Sequence, residues 1–391
     1  MNPFLLLHRF IFWNLLLAIV LAVGIFSFLL VSGRAMEDVL MLFSDGRLSP
    51  VLFGQLIVLL IPYLIAFALP MGILTAVLLV LGRLSSQLEL TAMRSAGMSL
   101  WQICRPVFLL AFLGAVLTIS INLYFAPQAR EQYRQVLHQT IQDDPLVFVQ
   151  EGVFVRNFPG FIIYVDERVG NELRGIRIWD MDENQEVVRM LRAESGGMAF
   201  DEENGEMVLS LYQGLAEWQR DSGGEQRIPR VQYGTFEETG IRLSLAGLLG
   251  EAGRTTRLSR MDIFGLWTEM EQFVGGKEGR GHPDFARWVS IRTELNERLA
   301  MGVAVFSLAL LGVPMAIEIR RRDTFANLVI ALLLALLFYL LMILFAALEV
   351  RPEWRPDYLI WFPNILFIAL GGYLFYRAEK GLGMPLAFWR K

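Results

Sequence analysis

Residue types that carry out covalent or acid–base chemistry are thinly scattered along this sequence. The three histidines, His8, His138 and His282, stand far apart and lack the spacing of metal ligands. There is no G-x-x-x-x-G-K-[ST], so nucleotide phosphates cannot be cradled by that loop. H-E-x-x-H and G-x-S-x-G are absent too, which argues against the commonest hydrolase signatures. A single cysteine, Cys104, excludes an internal disulfide framework and reads as a small packed side chain near a helix start. No catalytic residue, metal or cofactor is expected. The chemistry that remains is that of contact, and it concentrates in Arg83 to Ser99, RLSSQLELTAMRSAGMS, a polar stretch between two long apolar runs. Ser86 and Glu89 make an S-x-x-E box, which predicts a helix starting near Ser86. Leu84, Leu88, Ala92 and Ala96 recur at near-helical spacing and give it one apolar side. Gly97 supplies the stop, and Ser99 with Gln102 makes a second box that opens the next apolar helix. A short amphipathic helix over about 86–97 reads as a docking element for a soluble partner.

The elements that hold this stretch are membrane spans. Of 391 residues 54% are apolar and only 19% charged, mean hydropathy is +0.46, and apolar runs reach twenty residues or more; these features place the chain in a bilayer. A net charge of −4 is too small to argue for nucleic acid. The first run, Ile11 to Val31, is longer than a signal-peptide core, lacks a small-x-small cleavage site after it, and reads as a retained span. The second, Val51 to Leu81, carries Pro62 and Pro70 and predicts a kinked or tilted helix projecting beyond the bilayer. The third runs from about Trp101 to Phe125 and is expected to end at Pro127. From Leu146 the pattern becomes short and alternating, as in 147–157, 161–167, 174–181, 186–194 and 206–220, with turn signals such as Pro159-Gly160 and Glu203-Asn204-Gly205. Strands so spaced without helices between them imply an antiparallel sandwich or jelly roll. Gly275 to Pro283 reads as a flexible return linker, and spans over about Leu299–Ile317, Phe325–Leu348 and Leu359–Tyr376 follow.

The expected fold class is therefore an α-helical membrane protein with six transmembrane helices, three before and three after an inserted all-β, jelly-roll-like domain. The boundaries are 1–127, 128–284 and 285–391. Orientation follows from the basic residues of the short connections. Arg9, Arg83, Arg94, Arg105, Arg320, Arg321, Arg322, Arg377, Lys380, Arg390 and Lys391 make 11 on one side, against Arg34, Arg47, Arg351 and Arg355, 4, on the other. That bias puts both termini and the 86–97 helix in the cytoplasm and the β domain outside, in the periplasm of a cell with two membranes.

With these residues in place, the sequence resembles the lipopolysaccharide-export permeases, the LptF/LptG family. LELTAMRSAGMS (88–99) is similar to that family's S-E-x-T-x-M-R-x-x-G-x-S segment, with Leu88 where the family often has serine. ELNERLAMGVAVFSLALLGVPM (294–315) resembles the E-x-x-x-R start of its fourth span and the closing L-G-V-P, and leans slightly toward LptF. RAESGGM (192–198) and LSLYQG (209–214) are similar to its A-x-x-G and L-x-L-x-x-G elements. The resemblance covers essentially the whole chain.

What it implies is a permease subunit, not an enzyme, of an ABC transporter that extracts lipopolysaccharide from the inner membrane and passes it to a periplasmic jelly-roll bridge. The implied partners are a cytoplasmic ABC ATPase dimer and a paralogous permease subunit or a second copy. By matched position Glu89 faces the ATPase with Leu88, Thr91, Met93, Arg94 and Gly97, a role that can coexist with helix capping. Arg34 lies where the first span leaves the membrane, at the depth of lipid A phosphates; it is either a phosphate contact or an interfacial anchor. Arg292, Glu294 and Arg298 stand at the outer mouth of span four and either contact the lipid or pair with one another, the second being favoured. Arg320 to Arg322 reads as the positive-inside signal. The inner faces of spans one and five are the expected lipid path. A different class remains open: a mechanotransmitting or scaffolding membrane protein, moved by an ATPase without lipid crossing it.

Overall fold

The computed structural model describes the chain except for 1–2, 39–49, 144, 147–148, 150, 159, 171, 183–185, 202–205, 221–229, 244–257, 272–284, 319–323 and 383–391. The glycine-rich stretch 275–283, His282, Arg47, Arg320 to Arg322, Arg390 and Lys391 lie outside the described residues. In chain order the helices are α1 (Pro3–Asp38), α2 (Pro50–Ser86), α3 (Glu89–Ser95), α4 (Leu100–Ser120), a π turn (Ile121–Phe125) and α5 (Ala126–Asp143). After the strands come α6 (Ile263–Glu271), α7 (Phe285–Glu318), α8 (Thr324–Ala347), α9 (Pro356–Leu359) and α10 (Phe362–Glu379). Six helical stretches among the described residues are long and apolar enough to cross a membrane: Leu6–Gly33, Val51–Ser86, Leu100–Thr140, Phe285–Ile317, Leu328–Val350 and Pro356–Glu379.

The chain forms two compact units, one of Met1–Arg34, Leu59–Arg130 and Leu258–Lys391, the other of Ala35–Val58 and Glu131–Arg257. In the first unit α7 is central and packs against α4 and α10. The apolar windows of α2 and α7 are each 72% buried, whereas those of α1 and α8 are 17% and 22% buried and turn their leucines and phenylalanines outward. Close approach and a small polar network join α7 to α10. A Cβ on Gly371 would sit 2.8 Å from the backbone N of Leu311, Asn364 Nδ2 donates to the Ala300 carbonyl at 2.9 Å, and Ser307 Oγ lies 2.9 Å from Asn364 Oδ1. Helix α2 runs unbroken through Pro62 and Pro70. The third span does not stop at Pro127: the π turn at Ile121–Phe125 just before it passes directly into α5 and keeps the backbone helical. The polar sequence beyond it stays helical to Asp143, where no helix was expected.

In the second unit six strands, β1 (Phe154–Phe158), β2 (Phe161–Val169), β3 (Glu172–Met181), β4 (Val187–Asp201), β5 (Glu206–Arg220) and β6 (Arg230–Leu243), form one antiparallel meander in the order β1-β2-β3-β4-β5-β6. The inserted all-β domain is thus present as a single sheet among the described residues. Strand β6 lies beyond the expected set, and β1 is shorter than the 147–157 run suggested. Strand alternation demands that one parity face the core, yet here the parity changes within β3, β4 and β5. On β3 the buried positions are Leu173, then Ile176 and Ile178; on β4 they are Leu191 and Ala193, then Met198; on β5 Leu209 and Leu211, then Ala216. The changes line up. Pairs 165↔176 and 167↔174, 176↔193 and 174↔195, 193↔214 and 195↔212, and 214↔236 and 212↔238 flank one transverse row formed by Asp166, Gly175, Glu194, Gln213 and Glu237. Two members of the row are left-handed, Gly175 at φ 64° and Gln213 at φ 51°. This crease lets inward side chains from both halves of one sheet join a single apolar core. An open hollow of about 570 Å³ runs along it, lined by Arg177, Arg192, Glu194, Gln213 and Phe236 among others.

Candidate functional sites

The α2–α3–α4 connection is built by three separate fixings. Ser85 Oγ donates to the Ile317 carbonyl at 2.9 Å, holding the end of α2 to the end of α7. Ser86 is still helical and its hydroxyl donates back to the Arg83 carbonyl, so the Ser86–Glu89 box does not form. The reason is conformational: an N-cap residue needs extended φ/ψ, which Ser86 inside α2 cannot adopt. The reversal is made instead by Leu88 at φ 62°, and α3 begins at Glu89 without a side-chain cap. Gly97 is the expected stop. At φ 87° it closes a Schellman motif in which Met98 N–H donates to the Met93 carbonyl and Gly97 N–H to the Arg94 carbonyl. The second box is present in both halves, with Gln102 N–H to Ser99 Oγ and Ser99 N–H to Gln102 Oε1.

The apolar side of α3 differs from the expected stripe. Leu84 belongs to α2 and is buried, and the inward residues of α3 are Leu90 and, in part, Met93. Leu88, 62% exposed, lies on the surface with Glu89, Thr91, Ala92 and Ala96. Arg94 turns the other way. Its Nη1 and Nη2 donate to the carbonyls of Ala378 and Glu379 at 2.9 and 2.7 Å, capping the end of α10. The Glu379 carboxylate in turn accepts from Leu100 N–H at 2.8 Å, so α3, α4 and α10 are clasped together. Glu379 carried no sequence signal beyond its place after the last span.

A second polar concentration lies where α7 begins. Arg298, 6% exposed, has its fork occupied: Nε donates to Glu294 Oε1 at 2.9 Å, Nη1 to the Met261 carbonyl at 2.7 Å, and Nη2 to those of Leu258 and Ser259 at 3.0 Å each. Arg130 adds a bond to the Ser259 carbonyl at 2.9 Å and lies 4.1 Å from the Tyr63 ring centre. Tyr63, Arg130, Ser259, Glu294 and Arg298, with Asn122 from the π turn and Glu297, line a cavity of about 130 Å³. Segment 258–261 is thus held to α7 by two arginines, only one of which the sequence had singled out.

Arg292 points to a different cluster. Its Nε lies 3.4 Å from Asp357 Oδ2, and Arg355 grips the same buried carboxylate side-on, Nε to Oδ1 and Nη2 to Oδ2 at 3.0 Å each. That hydrogen bond holds the Arg355 guanidinium protonated above its ordinary value, against the opposing effect of partial desolvation. Arg34 falls in α1, and its side chain lies outside the described residues. The structure therefore gathers Glu89, Thr91 and Leu88 on one surface. Met93 and Arg94 turn inward, Glu294 pairs with Arg298, and Arg292 stands apart from them.

Comparison with known proteins adds the following. The family described as "Lipopolysaccharide export system permease LptF/LptG" matches residues 9–377. The chain is 28% identical over 191 residues to the lipopolysaccharide export system permease protein LptG of Escherichia coli K12, covering 48% of this chain and 52% of that one. To the LptF permease of the same strain it is 20% identical over 327 residues, covering 83% and 82%. To the LptG permease of Haemophilus influenzae it is 26% identical over 133 residues, covering 34% and 37%. The chain thus spans about half the length of the first of these relatives.

Proposed function

The chain belongs to the LptF/LptG family of lipopolysaccharide export permeases, and from that membership we propose a permease subunit that extracts lipopolysaccharide from the inner membrane. A cytoplasmic ABC ATPase dimer would hydrolyse the ATP, a paralogous subunit or a second copy would complete the pore, and a periplasmic jelly-roll bridge would receive the lipid. The termini and α3 are cytoplasmic in this reading and the sheet is periplasmic, as the basic residues of the short connections favour. The ATPase meets Leu88, Glu89 and Thr91, while Met93, Arg94 and Gly97 hold that surface in place. Lipid enters between α1 and α8, whose apolar faces are the least packed in the unit. Arg34 contacts its phosphates, Arg292 stands at the outer mouth of span four beside Asp357, and Glu294 with Arg298 keeps the return segment seated.

The observation that carries this reading is the clasp around α3. A short exposed helix that follows the end of α2, where Ser85 is bonded to α7 at Ile317, and that is itself bonded through Arg94 to α10 at Ala378 and Glu379, passes a push from a partner to spans that lie far away in sequence. Photo-crosslinking probes at Glu89 and at Arg34 test it in the membrane-inserted chain. An ATPase adduct from the first and a lipopolysaccharide adduct from the second are expected. An ATPase adduct without lipid supports the mechanotransmitter instead, and neither adduct in inserted protein overturns both.

A further inference from the structure

Where α8 gives way to α9 and α10, two guanidiniums share one carboxylate. Asp357 is fully buried, and its two oxygens accept Arg355 at 3.0 Å each, with Arg292 3.4 Å away. The Trp288 ring lies 4.7 Å from the Arg292 guanidinium and 5.1 Å from that of Arg355; the Tyr358 ring lies at 5.3 and 4.8 Å. Trp288 and Asn296 come from α7, and Asn296 fixes the loop by donating to the Asp357 carbonyl at 2.9 Å. One arginine would neutralise the carboxylate and pin the turn. The second leaves the cluster with one unbalanced positive charge. Among the described residues the terminal amino groups of Arg292 have no hydrogen-bond partner, and both arginine side chains remain a little over a quarter exposed. In this aromatic-walled pair Arg355 is engaged by Asp357 and Tyr358 while Arg292 keeps its terminal donors, which are the groups a phosphate takes up. Its level in the molecule selects the kind of phosphate. The cluster sits at the junction of the candidate spans Leu328–Val350 and Pro356–Glu379, where tryptophan and tyrosine mark the bilayer surface.

We propose that Arg292 and Arg355 together bind the phosphate of an anionic lipid headgroup at the bilayer surface. Asp357 is the positioning residue that aims both side chains, and Trp288 and Tyr358 form the walls. The site rests on the membrane reading of α7 to α10 but not on which lipid the protein transports.

The test uses the full chain, delipidated in detergent, and native mass spectrometry with phosphatidylglycerol, phosphatidylcholine, lipid A and inorganic phosphate as separate probes. One retained phosphatidylglycerol adduct is expected, with phosphatidylcholine unretained. Arg292→Gln and Arg355→Gln should each weaken it by about tenfold. Arg351→Gln should leave it unchanged, because Arg351 lies in the same loop over Trp354 alone. The Arg292→Lys variant keeps the charge and leaves Arg355 gripping Asp357, and should lose most of the adduct at an unaltered unfolding midpoint. Adducts with lipid A alone would keep the phosphate site and assign it to the transported lipid. Equal loss in Arg351→Gln, persistence of the adduct in both Arg292→Gln and Arg355→Gln, or binding of inorganic phosphate without lipid would each overturn it. Crosslinking at Glu89 reads the permease function separately, so one can fail without the other.

Discussion

Glu89 and Arg94 lie in the same seven-residue helix and face opposite ways, so their substitutions should separate. Glu89 is exposed; Glu89→Lys is expected to abolish co-purification of the ATPase while leaving the unfolding midpoint in detergent unmoved. Arg94→Ala leaves two helix-end carbonyls bare, a cost of about 1–3 kcal/mol, and should lower that midpoint. Arg298 is the more severe case. Its removal strands Glu294 and the carbonyls of Leu258, Ser259 and Met261, so Arg298→Met should cost about 3–5 kcal/mol, and Arg298→Lys should recover only part of it because one ammonium cannot replace a fork. Thermal unfolding of the purified variants ranks them, and equal midpoints for Arg298→Met and the parent would refute the role of Arg298 in holding segment 258–261 to α7. What the sequence discloses at this scale is uneven. Gly97 and the Ser99–Gln102 box were legible because their partners lie within one helical turn. The destination of Arg94 was not, because its acceptors lie 284 and 285 residues away.

Elements show the same division between local and distant causes. The six spans follow from apolar run length alone, since the bilayer demands it whatever the tertiary contacts. The Ser86 box failed because α2 is held helical to its end by a bond to Ile317, which no local pattern announces. Strand β6 was passed over because Gly234 and Gly240 punctuate it, and its alternation is broken where it crosses the crease. The crease itself makes a prediction. Gln213 holds a left-handed conformation that costs a side-chain-bearing residue about 1 kcal/mol, so Gln213→Gly should raise the unfolding midpoint. Gly175→Ala should lower it, since its Cβ would come within 2.7 Å of the Asp166 side chain in the same unfavourable φ region. In the membrane unit, Gly371→Leu should split α10 from α7 at Leu311, visible as loss of monodisperse protein on size exclusion.

For the molecule as a whole the open quantity is which way it faces. Cys104 is buried, so single cysteines can be placed elsewhere with little background. Glu237→Cys is expected to react with a membrane-impermeant maleimide once the outer membrane is opened, and Leu88→Cys only after the inner membrane is breached. The reverse pattern would invert the topology and withdraw the cytoplasmic assignment of α3. The transverse row through the sheet has one further consequence. A channel made by rolling many strands changes calibre only by gaining or losing a strand, with every loop redrawn. A trough made by folding one sheet along a line has a width set by the angle at that line. Here that angle rests on five residues in register, so point substitutions at 166, 175, 194, 213 and 237 could retune the trough for a bulkier or slimmer occupant while its topology stayed the same.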